Sequence, residues 1–117
     1  MFIAHAVAIE LIHDLRELVP AIKLHDRDLA DQIHRAATSV ALNLAEGSRL
    51  TAGNKRRHFE LAHGSANEVK SALDLAEAWG WLGDTSAPRR TLDRLLALCW
   101  RLTHPLRASE QTSKSPR

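Results

Sequence analysis

Between Arg35 and Glu68 two periodic patterns run side by side, and together they leave this chain few ways to fold. Ile33, Ala36, Ala37, Val40 and Leu44 recur at helical spacing as an apolar stripe, while Arg35, Ser39, Asn43 and Glu46 step by 4, 4 and 3 as a polar stripe beside it. A freely exposed helix face has no need of so ordered a polar row. Ala41 and Ala45 are small enough to admit a neighbouring helix, so the stripe is expected at a helix contact, where its polar groups require fixed partners.

The rest of the chain repeats the helical period, with no strand pattern to compete. A first helix is expected from about Ile3 to Val19, with Ala4, Val7, Ala8, Leu11, Leu15 and Leu18 on one face and Pro20 marking its end or a kink. A second starts near Asp28, capped by Asp26 or Asp28, and stops near Gly47. A third begins around Asn54; Phe59, Ala62, Ala66, Val69, Leu73 and Ala76 follow a heptad rhythm suited to near-parallel packing, and Gly80 and Gly83 close it. A fourth opens at Thr85 or Ser86, tolerates Pro88 in its first turn, presents Leu92, Leu95, Leu96, Cys99 and Leu102, and ends at Pro105. Short connections force consecutive helices to alternate in direction. The expected fold is all-α, an antiparallel up-down-up-down four-helix bundle over residues 1–104, followed by a disordered polar tail over 105–117.

At 117 residues the chain suits one domain with a proper core. Its single cysteine excludes an internal disulfide. A basic n-region and a cleavage site are missing before Glu10, which argues against a signal peptide, and no apolar run reaches the length of a membrane span, so a cytoplasmic protein of bacterial type, without a membrane partner, is expected. The formal charge is +2. Of 16 basic and 14 acidic residues, Arg107, Lys114, Arg117 and Glu110 lie in the tail, which leaves the body neutral. What stands out is local: Arg49, Lys55, Arg56 and Arg57, with no acid between Gly47 and His58.

Two Glu-x-x-His pairs, Glu10 with His13 and Glu60 with His63, have the form of a di-iron bundle site. At roughly 100° per residue all four side chains point away from the core stripes, which argues against a metal. No cofactor or catalytic residue is expected either. Ser39 and Ser65 lie inside helices without an exposed elbow or an adjacent base, and Glu46 and Glu68 lack a second activated group. Arg35, Ser39, Asn43, Glu46, Ser65 and Glu68 are read instead as a structural polar layer in which Arg35 or Asn43 bonds to the two glutamates. Gly64 and Ser65, set against Ala41 and Ala45, would permit a tight crossing. The cations Lys55, Arg56 and Arg57 fall in the first turn of the third helix, the wrong end of the dipole for them, and with Arg49 suit a phosphate-bearing partner; a solvated charge run is the alternative. Trp79, expected near the apolar side of the third helix, Trp81, expected partly exposed, and Trp100 are read as core or interface anchors.

The runs R-A-A-x-S-V-A-x-N-L-A-E-G-S-R and F-E-L-A-H-G-S-A-N-E resemble the small four-helix-bundle family first noticed as proteins encoded in intervening sequences of bacterial 23S ribosomal RNA genes. The matching positions are Arg35, Ala36, Ser39, Asn43, Ala45, Glu46, Gly47, Arg49, Phe59, Ala62, Gly64, Ser65 and Glu68. The first helix departs from the family in carrying aliphatic residues where aromatics are frequent. The resemblance implies an antiparallel bundle assembled as a ring-like homopentamer and implies no enzyme. One branch, the accessory variability determinant of diversity-generating retroelements, is similar in fold and works with a reverse transcriptase and nucleic acid through a basic surface. The expected function is therefore a non-enzymatic oligomeric adaptor that binds RNA or a nucleic-acid-processing partner through Arg49, Lys55, Arg56 and Arg57; the alternative is a protein-protein interaction scaffold with no nucleic-acid role.

Overall fold

The computed structural model describes residues 1–105, so the expected tail lies outside the described residues apart from Pro105. Four helices follow in order: α1 (Ile3–Lys23), α2 (Arg27–Arg49), α3 (Ala52–Ala78) and α4 (Ser86–Thr103). Among the described residues there is no strand, and no helix is long and apolar enough to cross a membrane.

Each boundary has a local cause. Asp26, in extended conformation, accepts a hydrogen bond from the Leu29 amide at 2.9 Å and so caps α2. Of the two expectations for Pro20, an end or a kink, the first does not hold: α1 runs one turn further, to Lys23. Proline at this point removes a single hydrogen bond, to the Arg16 carbonyl. Burial of Ile22, with no exposed surface, holds the extra turn in place. Only Leu50 and Thr51 separate α2 from α3, which begins at Ala52 rather than Asn54, with Ala52 in the left-handed region at φ +53°. Gly80, at φ +78°, reverses the chain after α3: its amide donates to Glu77 O at 2.9 Å and the Trp81 amide to Ala76 O at 3.0 Å, the paired bonds of a Schellman ending.

Contacts between neighbouring helices run in opposite sequence order. Asn43 meets His58 and Ser39 meets Ser65 across α2 and α3; His63 meets Trp100 and Asp74 meets Arg89 across α3 and α4. The pairs α1–α2, α2–α3, α3–α4 and α4–α1 all pack, closing a four-helix bundle. All six heptad residues of α3 are buried. They join Leu11, Ile33, Val40, Leu44, Leu92, Leu95 and Cys99 in one core.

The loops at one end are tied by aromatic stacking: Trp81 lies on His25 with centroids 5.1 Å apart and on Trp79 at 5.9 Å. Trp81 is half-buried, as expected, but Trp79 is exposed, because the helix ends there and the ring packs along the loop instead of the core. The close helix approach also differs from expectation. Gly64 faces open space, whereas a Cβ on Gly47 would lie 2.6 Å from the Phe59 ring. Ser65 meets Ser39, not Ala41 or Ala45.

Candidate functional site

The polar stripe and the cationic cluster meet at the turn between α2 and α3. Asn43 Nδ2 donates to the Ser39 carbonyl at 3.0 Å and to Ser39 Oγ at 3.1 Å. A carbonyl can only accept, so this fixes the amide orientation and makes Oδ1 the acceptor from His58 Nδ1, 2.9 Å away. Ser65 Oγ donates to Ser39 Oγ at 2.9 Å. The result is a relay, His58 to Asn43 to Ser39 and Ser65 to Ser39, that fixes the register of α2 against α3. His58 was not among the expected members, although it directly precedes the core residue Phe59.

The other expected members stay apart. Glu46 pairs with Arg49 one turn on, in its own helix. Arg35 and Glu68 are exposed and form no ion pair among the described residues. The expected bonds to Glu46 and Glu68 therefore do not form. Arg35 and Glu68 line an open groove between α2 and α3 with Gln32, Ser39 and Ser65.

The cations lie about half a turn deeper in α3 than expected, because the helix starts two residues earlier. The Lys55 amide already bonds to Thr51 O at 3.4 Å. Thr51 gives no side-chain cap, and no acidic residue occupies the first turn. The Lys55 ammonium sits 5.9 Å over the Phe59 ring. Arg56 pairs with Glu60 at 2.9 Å, while Arg57 is exposed with no ion pair among the described residues. The Arg49 and Arg56 side chains are 71% and 65% exposed. Exposed pairs of this kind contribute about 0–1 kcal/mol, so an incoming anion can exchange for the carboxylates with little loss.

The bundle adds what the sequence total hides. Arg101, at the end of α4, comes to the same end as Arg49, Lys55, Arg56 and Arg57, where the only carboxylates among the described residues are Glu46 and Glu60. The opposite end carries Asp14, Glu17, Asp26, Asp28, Asp31, Asp74, Glu77, Asp84 and Asp93 against Arg16, Lys23, Arg27, Lys70, Arg89, Arg90 and Arg94. A body neutral in sum is thus polarised along its axis, and the cationic end projects an attractive field toward polyanions.

At the acidic end Arg89 donates to Asp74 at 2.6 Å and to Glu77 at 3.2 Å, and Glu77 also accepts from Thr85 Oγ1. The Arg89 hydrogen bond, above all, holds the Asp74 carboxyl below its ordinary range, and the Thr85 hydroxyl with Arg89 does so for Glu77. This network joins α3 to α4. Of the Glu-x-x-His pairs, Glu10, His13 and Glu60 are exposed, and His63 is half-buried against Trp100. No group of three potential metal ligands occurs among the described residues. Cys99 is buried, and burial pushes its thiol up to about 11.

These features define a helical-bundle protein whose internal polar groups tie helices together and whose charge is sorted to its two ends. Residues 3–99 match the sequence pattern of the 23S rRNA-intervening sequence protein family, and the chain belongs to that family. No curated protein and no solved structure matches it.

Proposed function

We propose that the protein is a non-enzymatic adaptor of the cytoplasm, assembled as a homopentamer, that holds RNA phosphates at the cationic end of each bundle. The observation that carries this reading is the axial charge separation: the exposed Arg49, Arg56 and Arg57 and the half-buried Lys55 gather with Arg101 at one end, away from most carboxylates. Membership of a family named for 23S rRNA intervening sequences adds support. A non-enzymatic role is supported by the polar relay, in which Ser39 bonds to Asn43 and to Ser65 and neither serine bonds to a base, and by the deep burial of the one thiol. Exposed Leu42, Leu61 and Leu75 support assembly, since contact with further copies would cover them.

The test is a fluorescence-anisotropy titration of RNA at several salt concentrations. Log affinity should fall linearly with log salt, and Ala at Lys55, Arg56 and Arg57 should flatten that slope and weaken binding across sequences. Light scattering should give five times the 13.0 kDa chain mass. The same exposed leucines favour a second reading, a scaffold for a protein partner. RNA binding absent even at low salt, with a defined protein retained after nuclease treatment, would select it.

A further inference from the structure

Resting on that reading, we infer that Trp100 is a stacking platform for an unpaired base, which makes single-stranded nucleic acid the preferred ligand of the cationic end. Trp100 projects from the last turn of α4 and is 53% exposed, an uncommon placement for a tryptophan with a core nearby. Its surroundings hold the ring in place. His104, one turn on, stacks on one face with centroids 3.3 Å apart and planes within 20°. The imidazole is anchored: His104 Nδ1 lies 3.0 Å from the Trp100 carbonyl, which can only accept, and 2.9 Å from Thr103 Oγ1. From α3, His63 meets the indole edge-on at 6.3 Å. A ring held by two imidazoles and still exposed loses little freedom when a base stacks on it.

The neighbourhood has the charge that such a ligand needs. Arg56 lies seven residues before His63 on the same side of α3, about 10 Å along the helix axis, so a strand whose base stacks on Trp100 can run on toward it. Arg101 adjoins the platform in sequence. An aromatic face beside a cationic track is the arrangement that binds single strands with little sequence preference. The other exposed tryptophan, Trp79, lies at the acidic end on Trp81 and lacks that track.

The test compares labelled single-stranded RNA, single-stranded DNA and duplex RNA of matched length against wild type, Trp100→Ala, Trp100→Phe and, as a control at the far end, Trp79→Ala. Trp100→Ala should weaken single-strand binding roughly 5- to 100-fold, with an unchanged salt slope because no phosphate contact is lost. Trp100→Phe should keep most of the affinity, and Trp79→Ala and all duplex binding should be unaffected. In a Trp79→Phe/Trp81→Phe background, saturation with a single strand should quench the remaining fluorescence. Wild-type single-strand affinity in Trp100→Ala overturns the platform and leaves the cationic-end reading standing. Equal loss for single strand and duplex also overturns it, by showing a structural role. Absence of binding by any ligand at low salt overturns both.

Discussion

Gly47→Ala probes the closest approach between α2 and α3. An alanine Cβ at this position would lie 2.6 Å from Phe59 Cε1, 2.8 Å from Cδ1 and 3.2 Å from His58 Cβ. The Phe59 ring has little room to yield: it is 5% exposed, packs on the Phe2 ring at 5.8 Å and lies beneath the Lys55 ammonium. Overpacking of this kind costs about 1–3 kcal/mol. Alanine within a helix gains about 1 kcal/mol over glycine. The two effects oppose each other, and Gly47→Ala should destabilise by about 1 kcal/mol net, or up to about 2.

A double-mutant cycle separates the two contributions. Phe59→Leu alone should cost up to about 1.5 kcal/mol and removes the ring edge that the added methyl would strike. In that background the helix preference should dominate, so Gly47→Ala should stabilise by up to about 1 kcal/mol. Its effect therefore reverses sign, a coupling of about 1–3 kcal/mol. Urea unfolding followed by far-ultraviolet circular dichroism measures each corner, at fixed protein concentration because assembly shifts the midpoint. Stabilisation by Gly47→Ala in the wild-type background would refute the steric role assigned to this glycine.

Three further outcomes are expected. Asn43→Leu leaves Ser39 and His58 without their shared partner and should cost about 1–2 kcal/mol, lowering the thermal midpoint by several degrees; an unchanged midpoint would remove the relay from the forces that hold α2 on α3. Arg89→Ala should narrow the pH dependence of stability. Asp74 and Glu77 are held below their ordinary range when folded, so their contribution is complete above about pH 5 and lost as pH falls below about 4. The stability gap between wild type and variant should be flat from about pH 7 to 5 and shrink toward about pH 3, and a gap constant over that whole range would contradict the network. Cys99 should resist iodoacetamide at about pH 8 until urea opens the bundle, since its thiol is buried and shifted up to about 11; prompt labelling of the native protein would show that α4 opens readily.

The bundle was legible because the apolar period persists through every helix; the α3 seam needed no correction. Helix edges were less legible, for a physical reason: a cap or a proline biases an end, but burial beyond it decides, as Ile22 does beyond Pro20. The glycines show a signal that could have been used. Gly47 continues the stripe Ile33, Ala37, Val40, Leu44 by steps of 4, 3, 4 and 3, which puts it at the contact. Gly64 stands two residues from Ala62, roughly 200° around the helix and toward solvent. The stacking of His104 on Trp100 could not be read beforehand, because two core-flanking side chains near a helix end say little about rotamer. The charge separation needed the direction of each helix before residues distant in sequence could be assigned to a common end.

Part of that separation follows from helix stability alone. Asp26 and Asp28 begin α2 and Asp84 precedes α4, where the dipole favours carboxylates, and Arg49 and Arg101 lie in the last turns of α2 and α4, where it favours cations. An antiparallel bundle places the starts of α2 and α4 together, so this preference by itself makes one end acidic and the other basic. Lys55, Arg56 and Arg57 do not follow from it. They sit near the start of α3, whose dipole opposes them, beside amides that no side chain caps and no first-turn acid offsets. Only Arg56 has a carboxylate partner among the described residues, and that pair is exposed. Helix stability thus accounts for Arg49 and Arg101 and disfavours the three cations that make this end strongly basic. A bound phosphate would reverse that balance, accepting from the free amides and neutralising the side chains together.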